Sequence, residues 1–332
     1  MAKKVTLDDI AAATGLSKYS VSRSIAGKPG VSEETRNKVL KCCETIGYAK
    51  GVPKTMGLEA RFVLLFIPQP DAENTTFWMN VLQGVEEAAY NAGVALHVKF
   101  IRSDVDDVFG EIARAAGVIY ASYKSIDLMQ RFRYLNTPAL LMTYPPEKLL
   151  GIDTINTADN EAGYALFEKL VEWGHTQIAF WGSVQRPSSY YRLEGILAAA
   201  KKNDLELSNI WKEEWYHNTE VFESELNRLR CDNRLPTAIM CSNEELALSL
   251  ITILHRMDIE VPGDISVTSF NGDTYNRMFS SLTSVDHDET EYGRLAFNLL
   301  HERILNPSLP IRRISVVPKL KLGQTAGPRT QI

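Results

Sequence analysis

The sequence predicts an all-α helix-turn-helix head joined to an α/β body of two parallel-sheet lobes. Residues 5–39 show helical apolar spacing broken by a glycine turn, and from residue 62 onward short apolar runs alternate with amphipathic stretches. That alternation runs through twice, and 332 residues leave room for a head and two further cores.

In the head, Thr6 is placed as an N-cap whose hydroxyl satisfies an orphan amide as a first helix begins at Leu7. Leu7, Ile10 and Ala11 then share one helical face. Gly15 stands where a tight turn needs either a positive φ or no side chain, and Ser17 caps the second helix. Val21 and Ile25 point inward from that helix and leave Lys18, Tyr19, Ser22 and Arg23 outward. Such a row offers donors for base edges and phosphates together, which suits a major groove. A plain three-helix packing module has the same apolar spacing, and charge separates the two. Residues 1–61 carry eleven Lys and Arg against six acids, a net of +5, whereas the whole chain carries -5 and the remainder therefore -10. A basic head on an acidic body is the asymmetry of a chain whose head alone meets polyphosphate.

Residues 49–61 hold Gly51, Gly57 and Pro53 in a stretch too short to bury much, and read as a linker after a head of residues 1–48. In the body, strands are expected at 62–67, 94–101, 117–121 and 139–144, with helices at 76–91, 106–115 and 126–134 between them. The cycle then repeats with a helix at 160–173, a strand at 177–181, a helix at 190–203, a strand at 214–217 and a helix at 220–230. It continues with a strand at 238–241, a helix at 244–256, strands at 265–270 and 282–285, a long helix at 289–305 and a last strand at 314–322. Strands that are apolar throughout and separated by helices imply parallel sheets covered on both faces. Two runs imply two lobes, one of about 62–157 and one of about 158–285, sharing the C-terminal segment of a body that ends at 332.

Composition narrows the class further. The longest apolar run, 62–68, has a strand's length and not a membrane span's, and the start Met-Ala-Lys-Lys is no apolar export signal, so a cytoplasmic protein is expected. Cys42, Cys43, Cys231 and Cys241 show no C-x-x-C spacing and read as reduced, mostly buried thiols. The six histidines are scattered singly, and no nucleophile elbow, phosphate loop or H-E-x-x-H zinc motif occurs, so neither an enzyme nor a metal site nor a bound cofactor is expected.

Particular motifs carry a resemblance. The head has Val5-Thr6-Leu7-x-Asp9-Ile10-Ala11, Val21-Ser22-Arg23, Val31-Ser32-x-x-Thr35-Arg36 and Gly47-Tyr48. The body has Gln83-Gly84-Val85-Glu86, Trp173-Gly174-His175, Arg192-x-x-Gly195, Ser242-Asn243-Glu244 with Ala247, and Ser269-Phe270-Asn271. In this order, over essentially the whole length, the chain resembles the LacI/GalR family of bacterial transcription regulators. The resemblance implies a repressor acting as a homodimer, with paired heads on a palindromic double-stranded DNA operator. It also implies a body like periplasmic sugar-binding proteins, closing on a small, carbohydrate-like effector in the cleft between the lobes.

Carried over by residue, the resemblance gives Lys18, Tyr19 and Arg23 as base readers and Thr6, Leu7, Ser22, Ser32 and Thr35 as phosphate contacts. For the effector it gives Asp159, Arg192, Asn243 and Asn271, at strand ends where ligands collect in parallel sheets, with Phe77 and Trp78 as cleft walls for a sugar face. Asn243 ahead of Glu244 also fits a simple N-cap, Phe77 and Trp78 also fit ordinary core, and His175 reads as the structural start of the next strand. Arg192 is the strongest of the set, because a guanidinium in a cleft is available for bidentate bonding.

Two positions depart from the family. Asn271 stands where many members carry Asp, which removes a charge. In the hinge, Gly57 falls at the register of the leucine that wedges into the minor groove, flanked by Met56 and Leu58 as substitutes. The tail after residue 322 has no leucine heptad, so a tetramerising helix is not expected. Two rivals are a regulator without a small-molecule effector and a solute-binding protein. The second accounts for the body alone.

Overall fold

In the computed structural model, the described residues are 6–25, 30–46, 62–68, 75–101, 108–132, 135–146, 150–212, 218–271 and 282–329. Residues 47–61, with the linker and the hinge candidates Met56 and Leu58, lie outside them.

Three helices make the head. Helix α1 (Leu7–Thr14) opens on a capping box: the Thr6 hydroxyl accepts from the Asp9 amide at 3.4 Å and the Asp9 carboxylate accepts from the Thr6 amide at 2.8 Å. It closes on Gly15 at φ +68°, where an added Cβ would meet nothing within 4 Å; the backbone angle, not crowding, requires glycine there. Helix α2 (Lys18–Ile25) is capped by Ser17 Oγ, which accepts from the Ser20 amide at 3.0 Å. Helix α3 (Glu33–Ile46) follows, with Ser32 Oγ accepting from the Thr35 amide at 3.2 Å. Ile10, Val21, Ile25, Val39 and Cys43 are buried among these helices, so the inward face expected for α2 is the observed one.

The body is built from two sheets of identical strand order. In the first, β1 (Phe62–Pro68), β2 (Ala95–Ile101), β3 (Gly117–Ala121), β4 (Ala139–Met142), β5 (Asp153–Thr157) and β11 (Arg313–Val316) lie in the order β11-β5-β4-β3-β1-β2. Helices α4 (Thr75–Asn91), α5 (Phe109–Arg114) and α6 (Ile126–Phe132) connect β1 to β4. In the second, β6 (Ile178–Trp181), β7 (Asn209–Trp211), β8 (Ala238–Cys241), β9 (Ser266–Phe270), β10 (Thr283–Asp286) and β12 (Lys319–Lys321) lie in the order β12-β10-β9-β8-β6-β7. Its helices are α7 (Asp159–Glu172), α8 (Pro187–Lys202), α9 (Thr219–Cys231) and α10 (Glu244–Arg256); α11 (Glu289–Leu305) follows β10, and most of it lies with the first sheet. The β1–β4 and β6–β10 ladders are parallel and their inner strands are buried, as expected of sheets covered on both faces.

By their contacts the residues form two units. The first holds everything up to Asp71 together with Trp78–Ile155 and Gly293–Arg313; the second holds Ala72–Phe77, Asn156–Tyr292 and Ile314–Ile332. The first unit's sheet is closed at β5 by an ion pair, with Arg303 Nε and Nη2 each donating to the Asp153 carboxylate at 2.9 Å. In the second unit Trp181, Trp211 and Phe222 pack on one face of the sheet, and Phe167, Phe180, Ile196 and Phe270 on the other.

Several sequence expectations are corrected. The single strand expected at 314–322 is two strands in different sheets, because Pro318 has no N–H to continue a ladder. Residues 213–217 lie outside the described ones, so the strand expected at 214–217 does too; β7 forms just before it, pairing Ile210 with Phe180. Strand β5 was missed because Asp-Thr-Ile-Asn-Thr contains no apolar run, yet all five positions are buried. Helix α8 starts at Pro187, earlier than 190, with proline at its first position where no N–H is needed. Cys43 and Cys241 are buried, but Cys231 is exposed at the end of α9, and all four thiols are free.

Candidate functional site

The head presents its polar row as α2 dictates. Tyr19 is 69% exposed, Lys18 and Ser22 are exposed, and Arg23 is half-buried. Two of these side chains are held in place: Arg23 Nη1 donates to the Tyr19 hydroxyl at 2.7 Å with its guanidinium 5.3 Å from the Tyr19 ring centroid, and Lys18 Nζ pairs with Asp8 at 2.8 Å. Ser32 and Thr35 share a hydroxyl contact of 2.8 Å at the start of α3, and Leu7 is half-buried at the start of α1 beside the exposed Thr6. Two helix N-termini, α1 and α3, thus carry hydroxyls beside main-chain amides, which is the chemistry of a phosphate contact.

A second polar cluster lies within the second unit, at the carboxyl ends of its strands. Asp159 opens α7 and Arg192 lies one turn into α8, and the two helices approach closely because each has a glycine at the crossing. A Cβ on Gly195 would lie 1.9 Å from the Asn160 carbonyl oxygen, and one on Gly163 would lie 2.1 Å from that of Arg192. That proximity brings Arg192 Nε to Asp159 Oδ1 at 2.7 Å, while the Thr157 hydroxyl donates to Asp159 Oδ2 at 2.5 Å. Arg192 Nη1 donates to the Ser242 carbonyl at 2.7 Å, Nη2 lies 3.4 Å from His287 Nε2, and the guanidinium carbon is 4.7 Å from the Phe270 ring centroid. Arg192 is 5% exposed and Asp159 0%, so the fork expected to be open to a ligand is taken up inside the protein.

The other expected residues have partners of their own. Asn243 follows β8 and its side chain accepts from the Leu246 amide at 2.9 Å, the N-cap arrangement that the sequence also allowed. Asn271 follows β9 at φ +61°, its amide donating to the Val285 carbonyl at 2.9 Å. Phe77 is half-buried and Trp78 is 9% exposed, both in the first turn of α4. His175 is bound at both ring nitrogens, to the Thr237 hydroxyl and the Gly327 carbonyl at 3.0 Å each, a structural role as expected.

Sequence reasoning passed over His287, just beyond the end of β10. Its pKa is pushed down to about 4, chiefly by burial; the Asp159 charge opposes the shift and the Arg192 charge adds to it. The ring is therefore neutral near pH 7, and with Arg192 donating to Nε2 its proton sits on Nδ1. The signal available was position, a histidine just past a buried strand. Its Nδ1, Ser242 Oγ and Asn271 Oδ1 are buried polar atoms with no hydrogen-bond partner among the described residues. These three sit at the ends of adjacent strands β10, β8 and β9.

The family model described as bacterial regulatory proteins of the lacI family matches residues 6–50, the head with its polar row. The head is thus a DNA-binding domain of the lacI type. A second model, for a periplasmic binding protein-like domain, matches residues 167–326. Among curated relatives, the HTH-type transcriptional repressor PurR of Mannheimia succiniciproducens is 26% identical, over 96% of this chain and 98% of its own. The PurR repressor of Pasteurella multocida is 25% identical over 98% and 99%. Among solved structures, the regulator CelR in complex with cellobiose superposes with a TM-score of 0.70 at 20% identity, covering 97% of this chain and 99% of its own. The lac repressor dimer bound to operator and the anti-inducer ONPF gives 0.67 at 20%, with the same coverage. A LacI-family regulator from Enterococcus faecium with bound ribose gives 0.69 at 18%, covering 81% and 100%. With this head, and with repressors as its relatives over nearly the whole length, the chain is a DNA-binding transcription regulator and not an enzyme. Among the described residues, no helix is long and apolar enough to cross a membrane.

Proposed function

We propose that this chain as a whole is a member of the lacI family, a homodimeric, cytoplasmic repressor that reads a palindromic operator through Lys18, Tyr19 and Arg23. In this reading Thr6, Leu7, Ser22, Ser32 and Thr35 grip phosphates. Operator affinity is set by a small, uncharged, hydroxyl-rich effector held at the carboxyl ends of the second unit's strands, with Asn243 and Asn271 as contacts.

The observation that carries the effector reading is a trio of buried atoms without a hydrogen-bond partner among the described residues: His287 Nδ1 as donor, Asn271 Oδ1 as acceptor and Ser242 Oγ as either. A hydroxyl both donates and accepts, so a polyol or sugar satisfies all three. An anion accepts only and leaves Asn271 Oδ1 unpaired. Arg192 and Asp159 already neutralise each other, so they offer no charge to a phosphate or carboxylate. The cellobiose and ribose held by two structural relatives agree with that class.

The same saturation of Arg192 favours a second reading, a regulator without a small-molecule effector. Two measurements separate them. Gel shifts with the full chain on its own upstream region test operator binding, and the double variant Lys18→Ala, Tyr19→Ala should lose about 1 to 3 kcal/mol of discrimination per bidentate contact while keeping nonspecific binding. Calorimetry against neutral sugars, sugar phosphates and nucleosides tests the effector: heat from neutral sugars alone supports the first reading, and silence across the panel supports the second.

A further inference from the structure

Asp8 is a carboxylate on the face of the head that carries the base-reading row. Its neighbour Asp9 is committed to the capping box, where it accepts from both the amide and the hydroxyl of Thr6. Asp8 has no part in that cap. It reaches instead from the first turn of α1 to Lys18 Nζ, at 2.8 Å, with both side chains mostly in solvent, 69% and 59% exposed. A negative charge on a surface that meets polyphosphate weakens binding unless it does something specific.

Resting on the reading of Lys18 as a base reader, we infer that Asp8 is a positioning residue that makes Lys18 sequence-selective. A lysine ammonium is a flexible point charge with three donors, and left free it satisfies any phosphate within reach. Held by Asp8, it spends one donor and its net charge on the carboxylate and keeps two donors aimed from the first residue of α2. Two donors are what the paired acceptors of a guanine edge require. The pair is electrically neutral, so it adds little to phosphate attraction while keeping its hydrogen bonds for the groove. Arg23 likewise donates to the Tyr19 hydroxyl, so both cations of the row have a partner within the head.

The test uses the full chain and a duplex pool with a randomised half-site, selected in parallel for the parent, Asp8→Asn, Asp8→Glu, Lys18→Ala and the double variant Asp8→Asn, Lys18→Ala. Lys18→Ala should flatten the preference at one base position. Asp8→Asn should weaken the preference at that same position by about fivefold to tenfold. It should also tighten binding to a mixed-sequence non-operator duplex and steepen its salt dependence by about 0.9 log units per log unit of salt. Asp8→Glu should restore the preference, and the double variant should lose no more selectivity than Lys18→Ala alone. If Asp8→Asn leaves both the base preference and the salt slope at parental values while Lys18→Ala flattens the position, Asp8 serves only the α1 terminus and the inference is overturned. If Lys18→Ala itself changes no preference, the reading of Lys18 fails and the inference with it.

Discussion

Arg192 Nε donates to Asp159 Oδ1 at 2.7 Å, and both side chains are closed off from solvent at the crossing of α7 and α8. The geometry turns a residue expected to greet a ligand into the partner of a buried carboxylate. Substituents that touch either side chain therefore act first on the fold of the second unit and only then on any ligand.

Removing the guanidinium leaves Asp159 as an uncompensated buried charge. Arg192→Ala should cost about 3 to 5 kcal/mol, while the double variant Asp159→Asn, Arg192→Met should recover much of it. Urea unfolding midpoints of the parent, Arg192→Ala and the double variant check this. A single variant as stable as the parent would show that solvent reaches the pair.

His287 makes stability depend on pH in a defined direction. Its folded value of about 4 lies below the ordinary 6.5, so the unfolded chain binds the proton more tightly. Above pH 6.5 neither state is protonated and the ring contributes no slope. As pH falls from 6.5 towards 4, stability is lost at roughly 1.4 kcal/mol per unit, and the loss levels off below the folded value. His287→Gln should remove that part of the slope, since Asp159, Arg192 and Tyr292 are common to both proteins. Parallel stability profiles of parent and variant between pH 7 and 4.5 would contradict a buried neutral ring.

Gly195→Ala tests the crossing that delivers Arg192. Alanine favours a helix by about 1 kcal/mol over glycine. Here its methyl would stand 1.9 Å from the Asn160 carbonyl oxygen, a backbone atom that cannot swing away. Overpacking of this kind costs about 1 to 3 kcal/mol, so a net loss of stability is expected, with a lower thermal midpoint. A midpoint at or above the parent's would mean that α7 and α8 separate freely.

The hinge prediction rests on composition alone. Gly51 and Gly57 each disfavour a helix by about 1 kcal/mol relative to Ala. Gly57 also offers no side chain to wedge a base step, and kinking the duplex there needs an apolar wedge in return for a few kcal/mol of unstacking. A weakly bent or unbent operator is expected in circular-permutation gel shifts. A sharp central kink, lost on Met56→Ala or Leu58→Ala, would show that these residues supply the wedge instead.

The sequence by itself determined what depends on neighbours within a few residues. The Thr6 and Ser17 caps, the Gly15 turn, the inward Val21 and Ile25, and the apolar strands from β1 to β10 other than β5 and β7 are set by local hydrogen bonds and by periodicity, which a linear reading captures. Tertiary structure alone decided the rest. Strand β5 buries Asp153 by bonding it to Arg303, which lies 150 positions away, and the segment around Pro318 divides between two sheets. Arg192 and Asp159 are 33 positions apart, and His287 lies 95 beyond Arg192. Whether such a charge faces a ligand or another side chain depends on how closely two helices pack, and here two glycines at the α7–α8 crossing set that distance.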